Sequence, residues 1–256
     1  MYICYKQNAK YIKMNLFYAP DLSPDSKNYS FDKDESRHIT KSLRKKNGEI
    51  LYLTNGKGDW FEAEIITADP KHTQIKILSV TKKTQRPYRI HIAMAPTKSN
   101  DRFEWFLEKA VEIGIDEITP LLTRYSERKK INWARYDKIL VSAMKQSLQA
   151  YKPQLNDLTR FDYFIEQNFD NTQKFTAYCQ ADNALSKSVK LQSNILILIG
   201  PEGGFSDNEI QKARDKGFKT VRISPNRLRT ETAGLVSLMT THLQMDTLQP
   251  NKKQID

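Results

Sequence analysis

Cysteine is scarce in this chain. Cys4 and Cys179 are the only two among 256 residues, too few and too far apart for a disulfide framework. No cluster of cysteine and histidine has metal-ligand spacing, so no metal site is expected and the compartment reads as reducing. Long apolar runs are missing too: the longest aliphatic stretch, Ile195 to Ile199, falls far below the roughly 20 residues that cross a bilayer. The N-terminus, Met1-Tyr-Ile-Cys-Tyr-Lys-Gln-Asn8, lacks a sustained apolar core and a small-residue cleavage site. No membrane partner is expected, and the expected location is cytoplasmic.

What is present is enough to fold. Hydrophobic residues make up 39% and aromatics 10%, which excludes a disordered polyelectrolyte, and the length allows one large domain or two modest ones. Lys and Arg total 41 against 30 Asp and Glu, a net charge of +11, which points to a polyanionic partner, nucleic acid first. Residues 1–89 hold +7 of that excess. Met14 precedes Asn-Leu-Phe-Tyr, which reads as the start of a strand, whereas residues 1–13 show no period. Residues 1–13 are therefore expected to be a disordered or mis-annotated extension.

From residue 14 to 83 short strands alternate with turns, and Asn55-Gly-Lys-Gly58 is a hairpin signal between two of them. With one helix around Glu35 to Leu43, this reads as a small β-barrel-like module. Thr81 to Pro87 is polar and aperiodic, and is expected to be the linker. Strands at Arg89–Ala95, Ile115–Leu122, Asn194–Gly200 and Thr220–Ser224 then alternate with helices. Those helices are expected at 100–112, 133–149, 207–216 and 230–245, so residues 88–248 read as a parallel α/β domain.

Two segments of that domain carry chemistry. Gly200-Pro-Glu-Gly-Gly-Phe-Ser206 follows the buried strand, and Ser206 with Glu209 makes a capping box that starts a helix. A glycine-rich turn between strand end and helix start is where α/β folds bind ligands. Neither a Walker loop nor Gly-x-Gly-x-x-Gly is present. The second segment, Ile223-Ser-Pro-Asn-Arg-Leu-Arg-Thr-Glu-Thr-Ala-Gly234, again joins a strand to a helix. Taken singly, the first reads equally as a ligand loop or an ordinary glycine turn, and the second as plain capping.

Together with Lys109-Ala-Val-Glu-Ile-Gly-Ile-Asp-Glu-Ile-Thr-Pro120 upstream, the two segments resemble the bacterial RsmE family of SPOUT-class enzymes, which methylate N3 of one uridine in small-subunit ribosomal RNA. The resemblance runs from about Asn15 to Met245. It implies a SPOUT-type α/β domain with a deep trefoil knot behind a PUA-like, RNA-binding barrel, a homodimer, and S-adenosylmethionine as cofactor. It also implies 16S rRNA, in the 30S subunit, as substrate. Carried over by position, the cofactor pocket would be lined by Ile199, Gly200, Glu202, Gly203, Ile223, Leu228, Arg229, Thr230 and Ala233.

Methyl transfer to an imide nitrogen needs that nitrogen deprotonated or its anion stabilised. Arg229 is the expected stabiliser. Glu202 is expected either to favour the sulfonium or contact ribose, or to hold the neighbouring loop. His91 serves as a base only if it reaches in from its strand, and His38 is expected to be structural or RNA-facing. RNA contact is expected from Arg37, Lys41, Arg44 and Lys45 on the barrel module and from Lys98 and Arg102 on the α/β domain. The family's Glu-Gln-Ser-Gly-Arg is reduced here to Gln146 and Ser147, and its first-strand arginine is absent. Alternatives are a SPOUT enzyme with another RNA target, such as a ribose 2′-hydroxyl, and a non-catalytic RNA-binding assembly factor.

Overall fold

The computed structural model describes residues 14–190 and 193–248, the side chain of 248 excepted, so the expectation for residues 1–13 lies outside the described residues. The chain divides into two compact units: residues through Lys83 together with Leu148–Tyr151, and Thr84–Ser147 together with residues from Lys152 onward.

The first unit contains β1 (Leu16–Tyr18), β2 (Asn28–Ser30), α1 (Lys33–Arg37), β3 (Ile50–Thr54), β4 (Asp59–Thr67) and β5 (Gln74–Lys82). They form one sheet in the order β1-β3-β4-β5-β2, with β1 parallel to β3 and the other pairs antiparallel. In β4 the alternation of buried Phe61, Ala63 and Ile65 with half-buried neighbours marks a strand with one face inward. Four strand spacings would separate β1 from β2 by roughly 19 Å in a flat sheet. Phe17 on β1 and Phe31 just after β2 nevertheless meet edge to face at 5.5 Å between ring centroids, so the sheet curls and side chains close it.

The hairpin at Asn55–Gly58 forms, with positive φ at Gly56 and Gly58. Asn55 knits it by donating to Asp59 at 2.7 Å and accepting from the Lys57 amide at 3.0 Å. The Asn55 bond is also the main reason that the Asp59 carboxyl is held below its usual range. The expected helix around Glu35 to Leu43 runs from Lys33 to Ser42: α1 widens into a π-turn over His38–Ser42, and Arg44 at φ 55° ends it. Strand β5 runs through Lys82, where the sequence suggests linker, because Thr81 and Lys82 pair with Trp60 and Asp59. Their polarity reflects an outward face.

The second unit contains β6 (Ile90–Met94), α2 (Asn100–Ile113), β7 (Glu117–Leu122), α3 (Trp133–Gln146), β8 (Gln154–Leu155), β9 (Thr159–Arg160), α4 (Phe161–Ile165), β10 (Thr172–Ala177), α5 (Leu185–Ser188), β11 (Asn194–Ile199), α6 (Asp207–Asp215), β12 (Lys219–Val221) and α7 (Thr230–Leu248). The strands form a parallel sheet in the order β12-β10-β11-β6-β7-β8, with β9 also on β7. Leu196 and Leu198 of β11 join Phe164, Ala213 and Phe218 in a core beneath α4 and α6. The other face of β6 and β11 is covered by α7, which also packs on α2. Burial on both faces is why Ile195–Ile199 reads as a continuous apolar run.

Helix α2 ends at Gly114, whose φ of 104° provides a left-handed cap. Helix α3 stops at Gln146, short of the expected 149, because Leu148 turns left-handed at φ 56° and Leu148–Tyr151 belongs to the first unit. Among the described residues no helix is long and apolar enough to cross a membrane.

Candidate cofactor pocket and nucleic-acid interface

Three chain segments meet at the carboxyl ends of β10, β11 and β12: Ala177–Gln180, Ile199–Phe205 and Arg222–Thr230, with Ala233 from the first turn of α7. They enclose a cavity of about 660 Å³, the size of pockets that take a nucleotide-scale ligand. Strand ends facing helix starts are the expected ligand position in such a sheet.

The first wall is tightly constrained. A Cβ on Gly200 would lie 3.1 Å from the Gly204 backbone and 3.2 Å from the Phe205 ring, so glycine lets the loop fold back on itself. The turn closes with the Gly204 amide donating to the Pro201 carbonyl at 2.8 Å. Behind it, the buried Glu209 accepts from the Ser206 amide and hydroxyl, both at 2.9 Å, and from the Arg124 amide at 2.8 Å. The capping box read from the sequence is present, and it also ties the loop after β7 to the pocket wall.

The lining is apolar at Ile199, Ile223, Leu228 and Ala233 and cationic at Arg222, Arg227 and Arg229, with Glu202 the acidic member. Helix α7 begins at Thr230 on this wall, so its positive N-terminal end adds to the arginines. Apolar floor, close backbone and cationic rim suit a ligand with an aromatic base, a sugar and a carboxylate.

All nine residues expected at the cofactor site line this one cavity. Glu202 also reaches sideways: its Oε1 accepts from the Lys98 amide at 3.1 Å, the loop-holding geometry that was one of its two expected roles. Arg128 grips the same loop by donating to the carbonyls of Thr97 at 3.1 Å and Lys98 at 2.7 Å. Sequence reading missed the third wall, Ala177–Gln180. It follows β10, whose Thr-Gln-Lys-Phe-Thr-Ala carries too few apolar residues to be recognised as a central strand.

His91 does not reach the pocket. It pairs with Leu196, three residues before the pocket end of β11, and its Nε2 bonds Thr119 Oγ1 at 2.8 Å beside the Phe164 ring. Burial pushes its pKa down to about 4, against the opposing pull of Glu117. His38 is exposed, with its ring 6.2 Å from that of Phe17.

Of the expected RNA contacts, Arg37, Lys41 and Arg44 are exposed along α1 and the π-turn, and Lys45 pairs with Glu49 at 2.7 Å. Lys98 is exposed and pairs with Glu127 at 2.9 Å, which raises its pKa. Arg102 lies 4.0 Å from Glu231 in the first turn of α7.

A family model described as an RNA methyltransferase domain matches residues 84–242, and one described as an RNA methyltransferase PUA domain matches residues 31–78. The chain belongs to the RNA methyltransferase family. Among curated relatives of this family, the ribosomal RNA small subunit methyltransferase E of Buchnera aphidicola from Acyrthosiphon pisum is 31% identical, over 84% of this chain and 87% of its own. Among solved structures, a probable rRNA-methyltransferase from Porphyromonas gingivalis is 38% identical with a TM-score of 0.85, covering 92% of this chain and all of that one. The small subunit methyltransferase E of Neisseria gonorrhoeae, solved bound to S-adenosylmethionine, is 25% identical with a TM-score of 0.81, covering 91% of this chain and 98% of its own.

Proposed function

We propose that this chain transfers a methyl group from S-adenosylmethionine to N3 of a specific uridine in 16S ribosomal RNA of the small subunit. The observation that carries the reading is the cavity in which the Gly200–Phe205 and Arg222–Thr230 loops converge at the strand ends, within a family whose relatives are named as small-subunit rRNA methyltransferases. The cavity fits the cofactor by size and by its apolar floor, and the glycine at 200, where a Cβ would crowd Gly204 and Phe205, lets the loop turn tightly beside it. Bound there, S-adenosylmethionine supplies an activated methyl on a sulfonium.

The protein's own residues do the rest. Ile199, Ile223, Leu228 and Ala233 hold the apolar part of the ligand, and the backbone of Gly200 and Gly203 allows close approach. Arg229, exposed on the rim, stabilises the uracil anion left when N3 gives up its proton. Glu202 holds the Lys98 loop against the cofactor loop. Arg37, Lys41, Arg44, Lys45, Lys98 and Arg102 contact RNA, the first four on the PUA-like unit. Positioning of two bound substrates supplies much of the rate.

Two further features belong to the same reading. The trefoil knot rests on the resemblance to the SPOUT class, and the return of the chain from β12 through Arg222–Arg229 to α7, which packs on β6 and β11, is compatible with it. The homodimer is supported by Met239 and Leu243, exposed one turn apart on α7. Sedimentation velocity reads its stoichiometry, and a monomer at working concentration removes the dimer from the proposal.

Mass spectrometry of ribosomal RNA from a deletion strain tests the function. One missing N3-methyluridine is expected, whereas loss of a ribose methyl, or no loss, overturns the assignment. Arg229→Ala is expected to lower turnover more than cofactor affinity, and equal losses move that arginine to the cofactor pocket.

A further inference from the structure

We infer that Tyr125 is the stacking residue against which the target nucleobase is held. This rests on the RNA-methyltransferase reading of the pocket and assigns a residue that lies outside the pocket lining.

Tyr125 is 48% exposed in the loop between β7 and α3. It sits beside the cofactor loop: a Cβ built on Gly203 would fall 3.3 Å from Tyr125 Cβ and 3.7 Å from its Cγ. Glycine at 203, a pocket-lining residue, thus gives the tyrosine side chain room against that wall, where a Cβ would be tight by a few tenths of an ångström.

The loop is also held in place before any ligand arrives. Arg124 donates its amide to the buried Glu209 at 2.8 Å, the Thr123 amide donates to Ser126 Oγ at 3.0 Å, and Arg128 binds the carbonyls of Thr97 and Lys98. An exposed ring on a loop pinned before, beside and after it has already lost most of the backbone freedom that binding would otherwise remove.

The Arg124 guanidinium lies 5.7 Å from the centroid of the same ring. A cation next to an aromatic face is the pairing that recognises an unstacked nucleotide, ring to base and cation to phosphate. Enzymes that modify a base must take it out of its stack and replace the lost stacking with their own. Tyr125 provides that replacement next to the wall where the methyl donor is bound.

The test measures methyl transfer to 30S subunits by the full-length protein carrying Tyr125→Phe, Tyr125→Leu or Tyr125→Ala, with cofactor affinity measured calorimetrically alongside. Stacking predicts that Phe keeps KM for RNA within about threefold of wild type. Leu and Ala both raise it, by about 5- to 150-fold, while the cofactor Kd stays within about twofold in all three. If Leu behaves like Phe, the residue serves only to pack on Gly203 and the inference is wrong. An unchanged KM in the alanine variant also overturns it, as does a parallel loss of cofactor affinity. Stacking tolerates any base, so a wild-type enzyme that methylates another nucleotide would refute the uridine assignment while the same ordering of variants still decides the role of Tyr125.

Discussion

Replacing Glu209 is the most direct probe of how the pocket wall is built. Its buried carboxylate accepts three hydrogen bonds, from the Ser206 amide, the Ser206 hydroxyl and the Arg124 amide, at 2.8 to 2.9 Å. Glu209→Ala leaves the Arg124 amide and the Ser206 amide, the latter being its half of the capping box, without that acceptor, at about 1–3 kcal/mol each. Partial relaxation toward water brings the expected loss to about 4 kcal/mol. Glu209→Gln keeps one acceptor oxygen and substitutes a donor for the other, so about 2 kcal/mol is expected. Urea denaturation followed by far-ultraviolet circular dichroism measures both. Calorimetry on the folded variants should find weakened cofactor binding, because the same carboxylate anchors the loop that begins at Gly200. A glutamine variant within about 0.5 kcal/mol of wild type and with unchanged cofactor affinity would refute the reasoning, since it would mean that the bridge between the two loops contributes nothing.

Gly234→Ala should destabilise the protein by up to about 2 kcal/mol. The new Cβ would sit 2.6 Å from the buried Phe106 ring and 3.1 Å from Met94 Sδ, an overpacking cost of about 1–3 kcal/mol less about 1 kcal/mol of helix propensity. Adding Phe106→Leu should recover part of the loss, and two additive losses would locate the strain elsewhere. His91 is buried neutral with a folded pKa of about 4, below its unfolded value of about 6.5. Its contribution is therefore complete above pH 6.5 and is lost as pH falls toward 4, by about 3 kcal/mol. A His91→Gln variant should show a flatter fall in denaturation midpoint over that window, and parallel curves would remove His91 as the source. RNA affinity should fall steeply with salt, and Arg37→Ala or Lys41→Ala should each lower the log–log slope by about one. An unchanged slope would take those side chains off the phosphate track.

Much of the fold was readable because the relevant residues act locally. Asn55-Gly-Lys-Gly58 turns where its glycines and asparagine dictate, Ser206 and Glu209 cap where their spacing places them, and β11 shows itself by burial on two faces. The nine pocket residues came from the family resemblance rather than from either loop by itself, and the sheet brings the two loops that hold most of them to one cavity. What stayed hidden depends on partners distant in sequence. Strand β10 is polar in four of its six residues, Thr172, Gln173, Lys174 and Thr176, yet lies between β11 and β12, so its loop at Tyr178–Gln180 drew no notice. Helix α3 ends early because four residues after it belong to the other unit. The two possible roles of Glu202 could not be separated by sequence, because its partner, the Lys98 amide, lies 104 positions away.

Strand β11 is paired on both sides and buried on both faces through Ile199, and the next residue opens the cavity. Local opening free energies are therefore expected to change abruptly along this segment: amides from Ile195 to Ile199 should exchange among the slowest of the domain, while those of the following turn should answer to local fluctuation. This pocket wall therefore hangs from a strand held on both sides. On this wall, motion that admits a ligand falls to the residues beyond Ile199, and it can take place without loosening the strand that aims them.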